Sequence, residues 1–196
     1  MRVGGYDACN SPTVRKEEPR MTIMRKSIVL VAFLAIAGTL ASSADPHKVS
    51  AKSDAEILAI VMAIDEHEIH AAATAEEKHV GEPVLGYAQA LHQDHKKNLD
   101  ETRDLSTKIG VKPKDTPAVV QMRAKEKEEL AKLMPLTGEA FEREFVSAMR
   151  AGHRDALQML DEFLTTARNE QLKQHLTATR QSVAMHLQAA ENLRPS

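Results

Sequence analysis

Tryptophan is missing from this chain of 196 residues, and tyrosine and phenylalanine number only two and four. Ala, Leu, Glu, Lys, Gln and Met dominate instead, a balance that favours an all-α protein over sheets. The only cysteine, Cys9, stands near the start. Beyond residue 44 there is none, which excludes disulfides and thiolate chemistry there. That part of the chain also lacks a Gly-x-Ser-x-Gly elbow and a phosphate-cradling glycine loop, so nucleophilic catalysis finds no support. An excess of positive charge is missing too, the formal net charge being −2. The basic-looking stretch from Arg123 to Lys132 alternates with Glu126, Glu128 and Glu129 and reads as a solvated helix face, not a nucleic-acid footprint.

What is present begins with an export signal. Arg25-Lys26 forms a positive n-region and Ser27 to Ala41 an apolar run. That run is shorter than the roughly 20 residues of a membrane helix. Ser42-Ser43-Ala44 offers small residues for cleavage before Asp45. Residues 21–44 are therefore expected to be a signal peptide, with residues 1–20 a mis-assigned upstream leader and Met21 or Met24 as alternative starts. Cleavage removes six basic and three acidic side chains and moves the formal charge from −2 to −5. No integral membrane segment is expected to remain, and nucleic acid is excluded as a partner.

After a polar lead-in at 45–52, residues 53–193 read as one helical domain. Ser53-Asp54-Ala55-Glu56 is a capping box. It opens a first helix from about Asp54 to His79 with the stripe Ile57, Val61, Ile64, Glu68, Ala71 and Ala75. Gly81-Glu82-Pro83 breaks it and starts a second, whose stripe includes Val84, Ala88, Leu91, His95, Leu99 and Thr102 and which ends at Gly110. Thr116-Pro117 starts a short connecting helix to Met134; at about 1.5 Å per residue its roughly 17 residues can cross a bundle end to end. A third long helix, about Glu139 to Ala167, carries Phe141, Phe145, Met149, His153, Ala156, Leu160 and Phe163. The fourth, about Glu170 to Asn192, carries Leu172, Leu176, Thr179, Val183, His186 and Ala190. Four helices, two tight hairpins and one long connection describe a four-helix bundle.

Each apolar stripe holds one ionisable residue: Glu68, His95, His153 and His186. Such groups are costly in an apolar setting unless paired. The midpoint of 68 and 95 falls in the Gly81–Pro83 breaker, and that of 153 and 186 at Arg168-Asn169-Glu170, so each hairpin is expected to bring its pair level. Three imidazoles and a carboxylate suit Zn, Cu, Ni, Co or Fe better than Ca or Mg. The alternative is a metal-free Glu/His network, with Glu68 accepting from one histidine. Asp94 points about 100° away from His95 on an ideal helix and fits a supporting role. His92, His67 and Met149 are weaker candidates near the site, while His79 and His175 are expected on the surface. A di-iron centre needs more carboxylates than this chain offers; Glu76-x-x-His79 has the right spacing but sits at a helix end.

The order of these motifs resembles the bacterial domain-of-unknown-function family 4142. The resemblance rests on Glu68-Ile69, Asp94-His95, Phe141-Glu142-Arg143-Glu144-Phe145 leading to His153, and His186-Leu187 followed by Ala189-Ala190-Glu191-Asn192-Leu193. It spans about Ser53 to Leu193. It implies a ferritin-like bundle and an exported protein, periplasmic or associated with the outer membrane, and it implies no reaction. Two departures stand out: Glu142 where members usually have Asp, and Phe145 where Tyr is usual. The expected role is metal storage, sensing or stress tolerance, with a metal-free envelope interaction module as the alternative and catalysis a weaker option.

Overall fold

Ser53 adopts an extended backbone and its hydroxyl accepts the Glu56 N–H, so α1 (Asp54–Glu77) starts where the capping box predicts. The computed structural model describes residues 52–194, so the leader, the signal peptide and most of the polar lead-in lie outside the described residues. Gly81 and Pro83 open α2 (Glu82–Ile109), which Gly110 closes at φ 68, a left-handed turn that glycine adopts without strain. Thr116 caps α3 (Pro117–Leu133) through its side chain. Then come α4 (Gly138–Thr166) and α5 (Glu170–Asn192), the latter capped by Asn169.

Cross-helix hydrogen bonds fix the directions. Along α1 and α2, Glu76 meets His92 and Asp65 meets Asn98, so the two run antiparallel. Tyr87, Asp94 and Thr102 of α2 meet His186, His186 and His175 of α5, again antiparallel. Asp161 of α4 meets Arg180, and Arg154 meets Glu191. The order is thus up–down–down–up, and α3 makes the return. It starts beside the head of α1, where Thr116 donates to Glu56 and the Lys114 N–H to the Ala55 carbonyl. It ends near the foot, where Lys78 donates to the Met134 carbonyl. The connecting helix therefore spans the bundle's height, as its length predicts.

Two apolar clusters fill the interior. One gathers Ile57, Leu58, Leu160, Phe163, Leu172 and Leu176 at one end; the other gathers Leu91, Phe141, Phe145, Val146 and Met149. The ionisable residues occupy the layer between them. Because α2 and α3 both pack along it, α1 is buried over more than one stripe, and Leu58, Ala59, Ile60, Ala63, Asp65 and Ala72 are all sealed from solvent. The Arg123–Lys132 stretch is largely solvent-facing, as its charge alternation predicts.

Candidate metal centre

Four helices deliver the site. From α1 come Asp65 and Glu68, from α2 Asp94 and His95, from α4 His153 and from α5 His186. Asp65, Glu68 and the three histidines are each at most 7 % exposed. The His95, His153 and His186 rings stand with centroids 5.1 to 5.9 Å apart. One nitrogen from each lies within 4.8 Å of the other two.

Every ring is held from outside. His95 Nδ1 donates to Asp65 Oδ1 at 2.9 Å, His153 Nδ1 to the Met149 carbonyl at 2.7 Å, and His186 Nε2 to Asp94 Oδ2 at 2.9 Å. These acceptors require a proton on the outer nitrogen. In the neutral imidazole the other nitrogen then carries a lone pair. Those opposite atoms are His95 Nε2, His153 Nε2 and His186 Nδ1, and all three are buried without a hydrogen-bond partner. Glu68 Oε2 is the fourth such atom among the described residues. Native interiors rarely leave buried polar atoms unpaired, and here the unpaired set is confined to one layer.

The geometry is close to what a metal needs. A point equidistant from three atoms at that upper separation is about 2.8 Å from each, so an inward shift of about 0.7 Å per ligand gives the usual 2.0–2.1 Å metal–nitrogen distance. Burial holds His153 and His186 below the ordinary imidazole range, keeping their lone pairs free at neutral pH. For His95 burial acts the same way, but the Asp65 hydrogen bond and the Glu68, Asp65 and Asp94 charges outweigh it and raise its pKa. Glu68 stands beside the triad, outside the 4.8 Å set, and accepts from none of the three rings.

Asp65 lies off the apolar stripe of α1 yet is buried beside the triad. It is 2 % exposed, and its second oxygen accepts from Asn98, whose own oxygen accepts from Thr179. This network links α1, α2 and α5 just beneath the triad. Its signal in the sequence is the spacing of Asp65 three residues before Glu68, and of Asn98 three after His95. His175, expected on the surface, is half-buried and hydrogen-bonded to Thr102 at 2.8 Å; its place opposite α2 on a polar layer overrides its position off the apolar stripe. Asp94 turns away from the inward faces of the rings and accepts from the outer nitrogen of His186. Met149 contributes its carbonyl, while its side chain packs in the core. His92 is drawn away to Glu76 on the surface and does not join the triad. His67 lines a groove beside Glu68. Glu76 and His79 are exposed, as expected for a helix end. Glu142, a departure from the family pattern, accepts the Gly81 N–H at 2.6 Å and so serves the start of α2; Phe145, the other departure, stacks on Phe141 and meets Tyr87 edge-on.

Two openings approach the layer. A groove of about 590 Å³ between α1, α3 and α4 reaches Glu68. A smaller one of about 150 Å³ between α2 and α5 reaches the outer sides of His95 and His186.

An up–down–down–up helical bundle with a buried histidine triad at mid-height is the class these features define. The chain belongs to the domain of unknown function family DUF4142, whose model matches residues 38–193, as the motif order implies. No curated protein matches the sequence. Among solved structures, a DUF305 fragment from Deinococcus radiodurans is similar with a TM-score of 0.61 at 16% identity, over 70% of this chain and 91% of that one. A DUF305 protein from Streptomyces coelicolor, described as secreted, has a TM-score of 0.60 at 11% identity, over 69% and 87%. At these identities the likeness shows the fold. No helix among the described residues is long and apolar enough to cross a membrane.

Proposed function

We propose that this protein is an exported bundle that binds one transition-metal ion through His95, His153 and His186, with Glu68 supplying the nearby carboxylate. The observation that carries the reading is the set of three inward ring nitrogens, each without a partner while its opposite nitrogen is held by an acceptor. Metal-binding histidines are oriented in this way by outer hydrogen bonds. The donor set suits Zn, Cu, Ni, Co or Fe. A dinuclear iron oxidase lacks support, because Asp65 and Asp94 accept from histidine rings, which leaves Glu68 as the free carboxylate of the layer, and Glu76 is engaged with His92. Storage, sensing or stress tolerance fits a buried ion better than turnover does. Export is supported by the signal-like segment at 21–44 and by the description of the Streptomyces neighbour as secreted.

The competing reading is a metal-free module whose polar layer fixes helix register. The Asp65–Asn98–Thr179 network favours it, since it ties three helices together. A purely structural layer, however, is expected to satisfy its own polar atoms, and four here are unsatisfied. Protein purified without a His tag, wild type and His153→Ala, separates the two. Stoichiometric metal and a rise in Tm on adding Zn, Cu, Ni, Co or Fe in the wild type alone supports binding. Substoichiometric metal and an unmoved Tm in both samples refutes it.

A further inference from the structure

Gly152 stands in the middle of α4, where glycine costs a helix about 0.5–1 kcal/mol relative to alanine. The Cβ it lacks would lie 3.6 Å from Glu68 Oε1, an ordinary contact, so the position has room for alanine. Anything longer would cover the Glu68 carboxylate. Gly152 also lines the groove between α1, α3 and α4. The glycine thus leaves Glu68, whose other oxygen is buried and unpartnered, open to that groove.

The groove is acidic. Glu68, Glu126, Glu129, Glu144, Asp155 and Glu162 line it, against Lys125 and Lys132. Clefts of one charge sign raise the local concentration of the opposite ion. Its volume of about 590 Å³ exceeds that of a hydrated divalent cation, whose six waters occupy roughly 180 Å³ at ~30 Å³ each. The α2/α5 groove is less suited. It is smaller, and its Asp94 already accepts from the outer nitrogen of His186. An ion arriving there meets the protonated side of that ring.

We infer that a divalent transition-metal cation enters through the α1/α3/α4 groove, where Glu68 strips and receives it through the opening left by Gly152 and passes it to the three imidazoles. This rests on the metal-binding reading above and gives Glu68 a transfer role. No covalent or redox step is involved; carboxylate and then imidazole replace water on the ion.

Stopped-flow mixing of untagged protein with Co²⁺, followed by its visible absorption, tests the route. Glu144→Gln/Asp155→Asn/Glu162→Gln is expected to load about tenfold more slowly at low ionic strength and at the wild-type rate in 0.5 M salt. Gly152→Leu is expected to load more than tenfold more slowly at every salt concentration. Both are expected to retain one Co²⁺ per chain. Because Gly152→Leu can perturb α4, the triple variant, whose changes are on the surface, carries the test independently. Wild-type loading rates in the triple variant, or slowing only when Asp94 and Glu101 are neutralised instead, overturn the route while leaving the site intact. Failure of the wild type to bind Co²⁺ or Zn²⁺ overturns the site and the route together.

Discussion

Replacing Asp65 with alanine removes two acceptors from the most buried part of the polar layer. His95 Nδ1–H loses its 2.9 Å partner and Asn98 Nδ2–H its 2.8 Å partner. Asp65 is 2 % exposed, so water does not readily replace it. Breaking a buried charged pair by deleting one member costs about 3–5 kcal/mol, and for a chain of this size each kcal/mol moves Tm by about 2–4 °C. The expected fall in Tm of the metal-free protein is therefore about 6–20 °C. Asp65→Asn is expected to fall less, because its oxygen still serves His95 if Asn98 turns its amide and Thr179 accepts from it. Asp65 also fixes which His95 nitrogen bears the proton. Losing that control is expected to weaken Zn²⁺ binding about 10–100-fold in Asp65→Ala and less in Asp65→Asn. Thermal melts in chelator followed by calorimetric Zn²⁺ titration measure the two effects separately. A Tm of Asp65→Ala within about 2 °C of wild type, with unchanged affinity, refutes the role given to this residue.

Further outcomes follow from other parts of the fold. Burial lowers the folded pKa of His153, His175 and His186 below 6.5, so the unfolded chain binds more protons between those depressed values and 6.5. Stability of the metal-free protein is expected to rise with pH through that window and to be lost on acidification. His95 acts in the opposite sense: its raised pKa contributes stability below 6.5 that is lost as pH rises through the folded value. Denaturant melts at pH 5, 6, 7 and 8 are expected to show a maximum near neutrality, and His95→Gln to flatten the alkaline side. Glu142→Ala removes the acceptor for the Gly81 N–H at the head of α2, where no side-chain cap exists, and is expected to cost about 1–2 kcal/mol in a urea melt. Asp54→Ala frees the Arg168 and Asn169 N–H groups that its carboxylate holds and is expected to cost a similar amount, with hydrogen exchange rising at the α4–α5 turn.

Periodicity and capping chemistry alone determined the helices. The Ser53 box, Gly81-Glu82-Pro83, Thr116-Pro117 and Asn169 are local signals, and the helix ends fall within a few residues of them. Hairpin symmetry about the two short turns also brought one polar residue of each helix to mid-bundle, because the rise per residue is constant. What sequence could not supply was the width of the buried face on α1. A single stripe leaves Asp65 at its edge, but α2 packs closely along that side of α1, so Asp65 becomes interior and accepts from both His95 and Asn98. Packing of α2 between α1 and α5 likewise sets Thr102 against His175 and His92 against Glu76. Which ring nitrogen faces inward is likewise a tertiary property. It depends on an acceptor from another helix for His95 and His186, and on the local Met149 carbonyl for His153. The residue types of the layer are written in the chain. Their partners, and the four atoms left without one, were decided only by the packing of helices distant in sequence.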